Sequence, residues 1–156
     1  MQLIASLLNS LRKEYPQFHF TDGTEFRWDP SSQTIFYEKS DDAASLLHEL
    51  SHAILNHRSY IKDIELIEME RDAWHFTTTV LLGKYGIVIE KDAAEDALDT
   101  YREWLHARST CPECSATGVQ TRQNTYKCLA CSTIWTVNDA RICHLRRYVL
   151  NKKHTL

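Results

Sequence analysis

Apolar residues recur along the chain with two different periods, and the switch between them marks the elements. Leu3, Ile4, Leu7, Leu8 and Leu11 fall on one helical stripe, which predicts a helix over residues 2–14, closed by Pro16. From Gln17 to Tyr37 the period shortens to two. Phe18, Phe20, Phe26 and Trp28 read as strand material, Asp29-Pro30-Ser31-Ser32 as a turn, and Ile35-Phe36-Tyr37 as a restarted strand, so a hairpin or small meander is expected. Ser40 then reads as an N-cap, with Asp41 and Asp42 in the first turn, where the helix dipole favours anions. The helix it opens runs from 43 to about 57, with Leu46, Leu47, Leu50, Ile54 and Leu55 forming a broad apolar face. A polar loop over 58–63 leads to a second helix over 64–82, stopping before Gly83. A third helix spans 92–107, with Ala94, Leu98, Tyr101 and Leu105 on one side. Residues 110–136 read as a ribbon of short strands, and 137–151 as a closing helix capped by Asn138.

Composition adds a boundary. Hydrophobic residues make up 43% of the 156 and charged residues 25%, the balance of a water-exposed globular chain. No run of about 18 apolar residues occurs, so no membrane span is expected. The apolar start lacks a basic leader and a small-residue cleavage site, so it does not read as a signal peptide, and a cytoplasmic location is expected. The net charge of −3 conceals two halves. Residues 1–107 carry 10 Lys/Arg against 19 Asp/Glu, a balance of −9; residues 108–156 carry 8 against 2, a balance of +6. Two modules are expected, 1–107 and 108–156, the second ending in a basic helix.

The chemistry lies in two patterns. His48-Glu49-Leu50-Ser51-His52 is His-Glu-x-x-His on the second predicted helix. Residues i and i+4 share a helix face, so two imidazoles can hold one Zn²⁺. Glu49 lies beside them, placed to take a proton from a water that the metal activates. A catalytic zinc needs a third protein ligand. The extended motif with a third histidine ten residues after the first is absent, because Arg58 stands there, with Leu55 where its glycine would be. The next donors are Glu65, Glu68, Glu70 and Asp72, and periodicity does not choose among them. The second pattern is Cys111-Pro112-Glu113-Cys114 and Cys128-Leu129-Ala130-Cys131, two Cys-x-x-Cys hooks with 13 residues between them. Four thiolates at that spacing form a closed structural zinc site, a zinc ribbon. Cys143 has no partner in the pattern and reads as a small buried residue on the last helix.

Leu47-His48-Glu49-Leu50-Ser51-His52-Ala53-Ile54-Leu55-Asn56-His57 followed by Glu70-Arg71-Asp72-Ala73-Trp74-His75-Phe76 resembles the ImmA/IrrE family of metallopeptidases, over roughly residues 33–82. That family joins His-Glu-x-x-His to a downstream Glu-x-x-Ala-x-x-Phe. The resemblance implies that Glu70 is the third zinc ligand, as in the gluzincin class. It also implies a zinc-dependent endopeptidase making limited cuts in a regulatory, repressor-like protein. The sequence departs from the family at Trp74, at Thr77, and at Leu81-Leu82-Gly83, which lacks the family's proline. The expected fold is α+β: a small antiparallel sheet packed on a zinc-binding helix pair, a minimal zincin-like core, followed by the ribbon. Tyr37, on the strand leading into the first motif, is a candidate oxyanion donor, and that strand a candidate for edge pairing with a peptide.

The ribbon half carries Arg122, Lys127, Arg141, Arg146, Arg147, Lys152 and Lys153 with Tyr126, Trp135 and Tyr148 interspersed, a composition suited to nucleic-acid phosphates or to docking on acidic protein. SprT-like DNA-associated proteases also join His-Glu-x-x-His to a zinc ribbon, and a non-catalytic adaptor working through the ribbon is the alternative outside enzymes.

Overall fold

The structure is a computed structural model and describes residues 2–40, 42–140 and 142–151. It forms two compact units, residues 1–59 with 69–94, and residues 60–68 with 95–156. The division does not follow the charge step at Arg108. Most of the acidic helix before that residue belongs to the same unit as the basic ribbon.

The first unit opens with α1 (Gln2–Glu14), whose Ile4, Leu7, Leu8 and Leu11 are buried. Leu3 and Asp41, read above as a stripe residue and a first-turn acid, lie outside the described side chains. Three short strands follow, β1 (His19–Asp22), β2 (Arg27–Asp29) and β3 (Thr34–Tyr37), in the order β1-β3-β2. The expected antiparallel sheet is therefore mixed. β2 and β3 form the anticipated hairpin, but β3 runs parallel to β1, with His19 opposite Thr34 and Asp22 opposite Tyr37. β3 holds Ile35, which is wholly buried, and the most apolar strand takes the central place.

α2 (Ala43–Ile54) lies against β2 and β3. Its N-cap is Asp42, whose carboxylate accepts from the Ser45 amide at 2.9 Å and the Ser45 hydroxyl at 2.5 Å. Ser40 is displaced from the capping role expected of it, since an aspartate nearer the first turn offers two oxygens. α2 ends at Ile54, not near His57, because Asn56 takes a left-handed conformation (φ 57°). α3 (Asp63–Phe76) continues through a five-residue π-turn, Thr77–Leu81, into α4 (Leu82–Tyr85). The stop expected before Gly83 falls three residues later. Gly86, at φ 66°, supplies the left-handed residue that ends a helix. Leu46, Leu47, Leu50 and Ala53 of α2 meet Leu81, Leu82, Phe20, Ile35 and the α1 stripe in one core.

The second unit contains the start of α3, most of α5 (Ala93–Ser109), and a four-stranded antiparallel sheet: β4 (Val119–Arg122), β5 (Thr125–Lys127), β6 (Ile134–Val137) and β7 (Arg147–Val149), in that order. The closing helix expected over 137–151 is not formed among the described residues. A 3₁₀ turn at Ile142–His144 and strand β7 take its place. Asn138 is the reason: its side chain donates to the His144 carbonyl (3.0 Å) and accepts from the Arg146 amide (2.8 Å), folding the chain back onto β6. Cys143, expected to be buried, is exposed in that turn. Of the basic residues noted above, Arg141, Lys152 and Lys153 lie outside the described residues.

The core of this unit is Cys111, Tyr126, Cys128, Trp135 and Val137. Tyr126 and Trp135 stack at 5.7 Å, and a Cβ at Gly118 would overlap the Trp135 ring. Beneath them Arg108 and Asp63, each 1% exposed, form a buried ion pair. Arg108 Nε donates to Asp63 at 2.6 Å, and its other nitrogens reach Asn124 Oδ1 (2.7 Å) and the Asn138 carbonyl (2.6 Å). The Tyr126 hydroxyl donates to the same carboxylate at 2.5 Å. No helix among the described residues is long and apolar enough to cross a membrane.

Candidate metal centres

His48 and His52 stand one turn apart on the buried face of α2, and Glu70 projects from α3 toward them. Of the four acids the sequence left open, Glu70 is the one the fold delivers. It is 6% exposed, whereas Glu65 turns back to accept the Ile61 and Lys62 amides, and Asp72 pairs with Arg71 at the surface. His48 Nε2 lies 3.0 Å from Glu70 Oε2 and 3.1 Å from His52 Nε2, and His52 Nε2 lies 3.5 Å from Glu70 Oε1. Zinc–ligand bonds of about 2.05 Å in a tetrahedron set neighbouring ligands about 3.3 Å apart. The two imidazole nitrogens, each beside one oxygen of the Glu70 carboxylate, lie near that spacing, and the three residues form a group that could hold a metal ion.

Charge suits the same role. Burial alone would push the Glu70 carboxyl up, but hydrogen bonds from His48 and His52 outweigh it and bring it down to about 2. Glu49 behaves oppositely. Burial pushes its carboxyl above the ordinary carboxylate value, against the pull of His48 and His52.

Three residues that the sequence reading left without a role shape the site. Trp28 donates its backbone amide to Glu49 Oε2 at 2.7 Å and its indole N–H to the His57 carbonyl at 2.9 Å. Trp74, noted only as a departure from the family pattern, stacks on His48 with ring centroids 4.3 Å apart. His57 meets His52 through their Nδ1 atoms at 2.9 Å. Burial and the neighbouring His52 lower the His57 pKa. Its signal in the sequence was its place at the end of the segment that carries the family resemblance, five residues after His52. Tyr37, the candidate oxyanion donor, has its hydroxyl 3.5 Å from an Arg12 nitrogen. Its strand β3 has partners on both sides, which leaves edge pairing to β1 and β2.

Behind α2, the Ser51 and Thr77 hydroxyls meet at 2.7 Å, both wholly buried, one donating to the other while the acceptor's own proton goes to its helix backbone. This pair fixes α2 against the end of α3, the two elements that carry His48, His52 and Glu70.

The second group is Cys111, Cys114, Cys128 and Cys131. Its hooks are conformational copies. The Ser115 and Ser132 amides return to the Cys111 and Cys128 carbonyls at 3.0 Å, and both serines have positive φ (62° and 64°). Cys111 and Cys131 sulfurs lie 3.6 Å apart and Cys114 and Cys128 3.5 Å, close to the separation of about 3.8 Å expected from Zn–S bonds of about 2.3 Å. The Thr133 hydroxyl and amide hold Cys131 down to about 6. The Ala116 amide pulls Cys114 down, but the adjoining thiols outweigh it and push it up to about 12. Four sulfurs this close ionise together only around a cation.

No family model, curated protein or solved structure matches the chain.

Proposed function

We propose that this protein is a zinc-dependent endopeptidase of the ImmA/IrrE type, making limited cuts in a regulatory, repressor-like protein, with a second, structural zinc in its ribbon. The observation that carries the reading is the convergence of His48, His52 and Glu70 at metal-ligand spacing, with the Glu49 carboxylate beside them on the Trp28 amide. A structural metal site has no use for that further carboxylate; a hydrolytic one needs a base.

Zinc bound there supplies polarisation of a peptide carbonyl and a water whose pKa falls toward about 7. His48, His52 and Glu70 would hold the ion, the three protein ligands that a hydrolytic zinc site takes. Glu49 takes the proton from the attacking water and carries it to the leaving amine. The Trp28 amide points away from β3, on the open edge of the sheet, so a peptide laid along β2 as an added strand runs past the base.

Elemental analysis tests the site. The purified protein is expected to hold two zinc ions per chain, and Glu70→Ala or His48→Ala/His52→Ala about one. Glu49→Gln is expected to keep both while losing cleavage. One zinc throughout would refute the peptidase.

A DNA-associated protease is the second reading, favoured by the outward face of the ribbon sheet. Its register sets Val119, Lys127 and Ile134 in one row, and Arg122, Thr125, Thr136 and Tyr148 in the next. Tyr148 is 51% exposed, an aromatic platform at the β7 end of the row that Arg122 opens on β4. Salt-dependent binding of a single-stranded oligonucleotide, weakened by Tyr148→Ala, would support it. A function that survives Glu49→Gln would mark the protein as an adaptor.

A further inference from the structure

We infer that the C-terminal cap of α2 belongs to the metal site, with Asn56 and His57 orienting His52 for metal binding. The inference rests on the proposed zinc site.

The backbone here closes a Schellman motif. The His57 amide bonds to the His52 carbonyl (2.9 Å), the Asn56 amide to the Ala53 carbonyl (3.1 Å), and Asn56 is left-handed. Asparagine is among the few residues that adopt this conformation readily. In such a cap the residues corresponding to His52 and His57 are brought together, and an apolar contact commonly fills the space between them. Here two imidazoles fill it, with centroids 5.0 Å apart and Nδ1 atoms at 2.9 Å.

Two ring nitrogens at that distance share one proton: one donates and the other accepts. The direction follows from the far side of the His52 ring. Its Nε2 faces His48 Nε2 and Glu70, so it must present a lone pair to a metal there. The proton of the neutral ring then sits on Nδ1, and His57 is the acceptor. The Trp28 indole holds the His57 carbonyl and so fixes the turn. His48 has no equivalent: its Nδ1 is buried without a hydrogen-bond partner, and the Trp74 ring holds it by stacking. One ligand is set by a helix cap and the other by an aromatic face. His57 is thus a positioning residue, acting through His52.

The test measures zinc affinity of the full chain by competition with a chromophoric chelator, beside imidazole ¹⁵N spectra. His57→Ala is expected to weaken the His48/His52/Glu70 site by about tenfold or more while the cysteine site is unchanged. His57→Asn, which keeps an acceptor near the Nδ1 position, and Asn56→Gly, which keeps the left-handed turn, are expected to stay near parental affinity. In the spectra His52 is expected to carry its proton on Nδ1. A parent binding only the cysteine-held zinc would defeat the site itself. A parent binding two, with His57→Ala at parental affinity, would defeat the cap inference alone, as would His52 protonated on Nε2 in the unaltered protein. A fall in Tm shared by His57→Ala and His57→Asn without change in affinity would make the turn an ordinary cap.

Discussion

The Asp63–Arg108 pair permits a sharp test of what holds the ribbon unit together. Arg108→Met removes three charge-assisted partnerships, to Asp63, Asn124 and the Asn138 carbonyl, and leaves the 1%-exposed Asp63 carboxylate with the Tyr126 hydroxyl as its remaining side-chain donor. Stranding a buried charge in this way costs about 3–5 kcal/mol. Asp63→Asn is milder. The guanidinium keeps two oxygens as acceptors, the substituted side-chain amide can still accept one bond, and the loss is set by weakened hydrogen bonds at roughly 1.5–3 kcal/mol. Combining Asp63→Leu with Arg108→Met removes both charges, and the double variant is expected to be more stable than Arg108→Met alone. Urea unfolding of the zinc-loaded protein would read this through Trp135, whose indole donates to the Arg108 carbonyl. The reasoning fails if Arg108→Met costs less than about 1 kcal/mol, or no more than Asp63→Asn.

Glu49→Gln is expected to stabilise the metal-free protein at pH 8 and to have little effect at pH 4. The folded-state pKa of Glu49 is raised, so its favourable protonated form is lost as pH rises through that value, and the uncharged amide avoids the loss; paired Tm measurements at the two pH values check the sign. Acidification is expected to release the metal held by His48, His52 and Glu70 through protonation of the imidazoles. Because Glu70 stays ionised down to about 2, a pH titration of bound zinc should show no separate carboxylate step above that value. A strong chelator is expected to unfold the cysteine-held ribbon, whose core includes Cys111 and Cys128, and circular dichroism before and after zinc return would follow it.

Much of the first unit was legible because its signals are local. The α1 stripe and the i, i+4 histidines report one element each, and the structure places both on buried helix faces. The paired cysteine hooks were legible for the same reason: each is a four-residue turn with its own backbone closure. What escaped depends on distant chain segments. The parallel pairing of β1 with β3 follows from which strand is most apolar once all three are assembled. Trp28 read as a strand residue, and nothing around it announces an amide bond to a residue 21 positions away. Asp63 and Arg108 looked like a loop acid and a composition boundary, though 45 residues apart they form a buried pair. The helix expected over 137–151 failed because Asn138, plausible as a helix cap, serves equally well as a loop clasp.

The π-turn at Thr77–Leu81 separates the demands placed on the two ends of one continuous helical rod. In an unbroken α-helix each residue advances about 100°, which would carry Leu82 roughly 120° away from the face occupied by Glu70, Ala73 and Thr77. The wider turn returns Leu82 to that face, and all four are buried. The rod therefore works as a phase shifter. Upstream its rotation is dictated by the donor atom of Glu70, downstream by the apolar core under Leu81 and Leu82, and the two settings need not agree. Deleting one residue between Thr77 and Leu81 would leave Leu82 eleven residues beyond Glu70, about 20° from it in a regular α-helix, so the wide turn would be lost while both side chains kept the buried face.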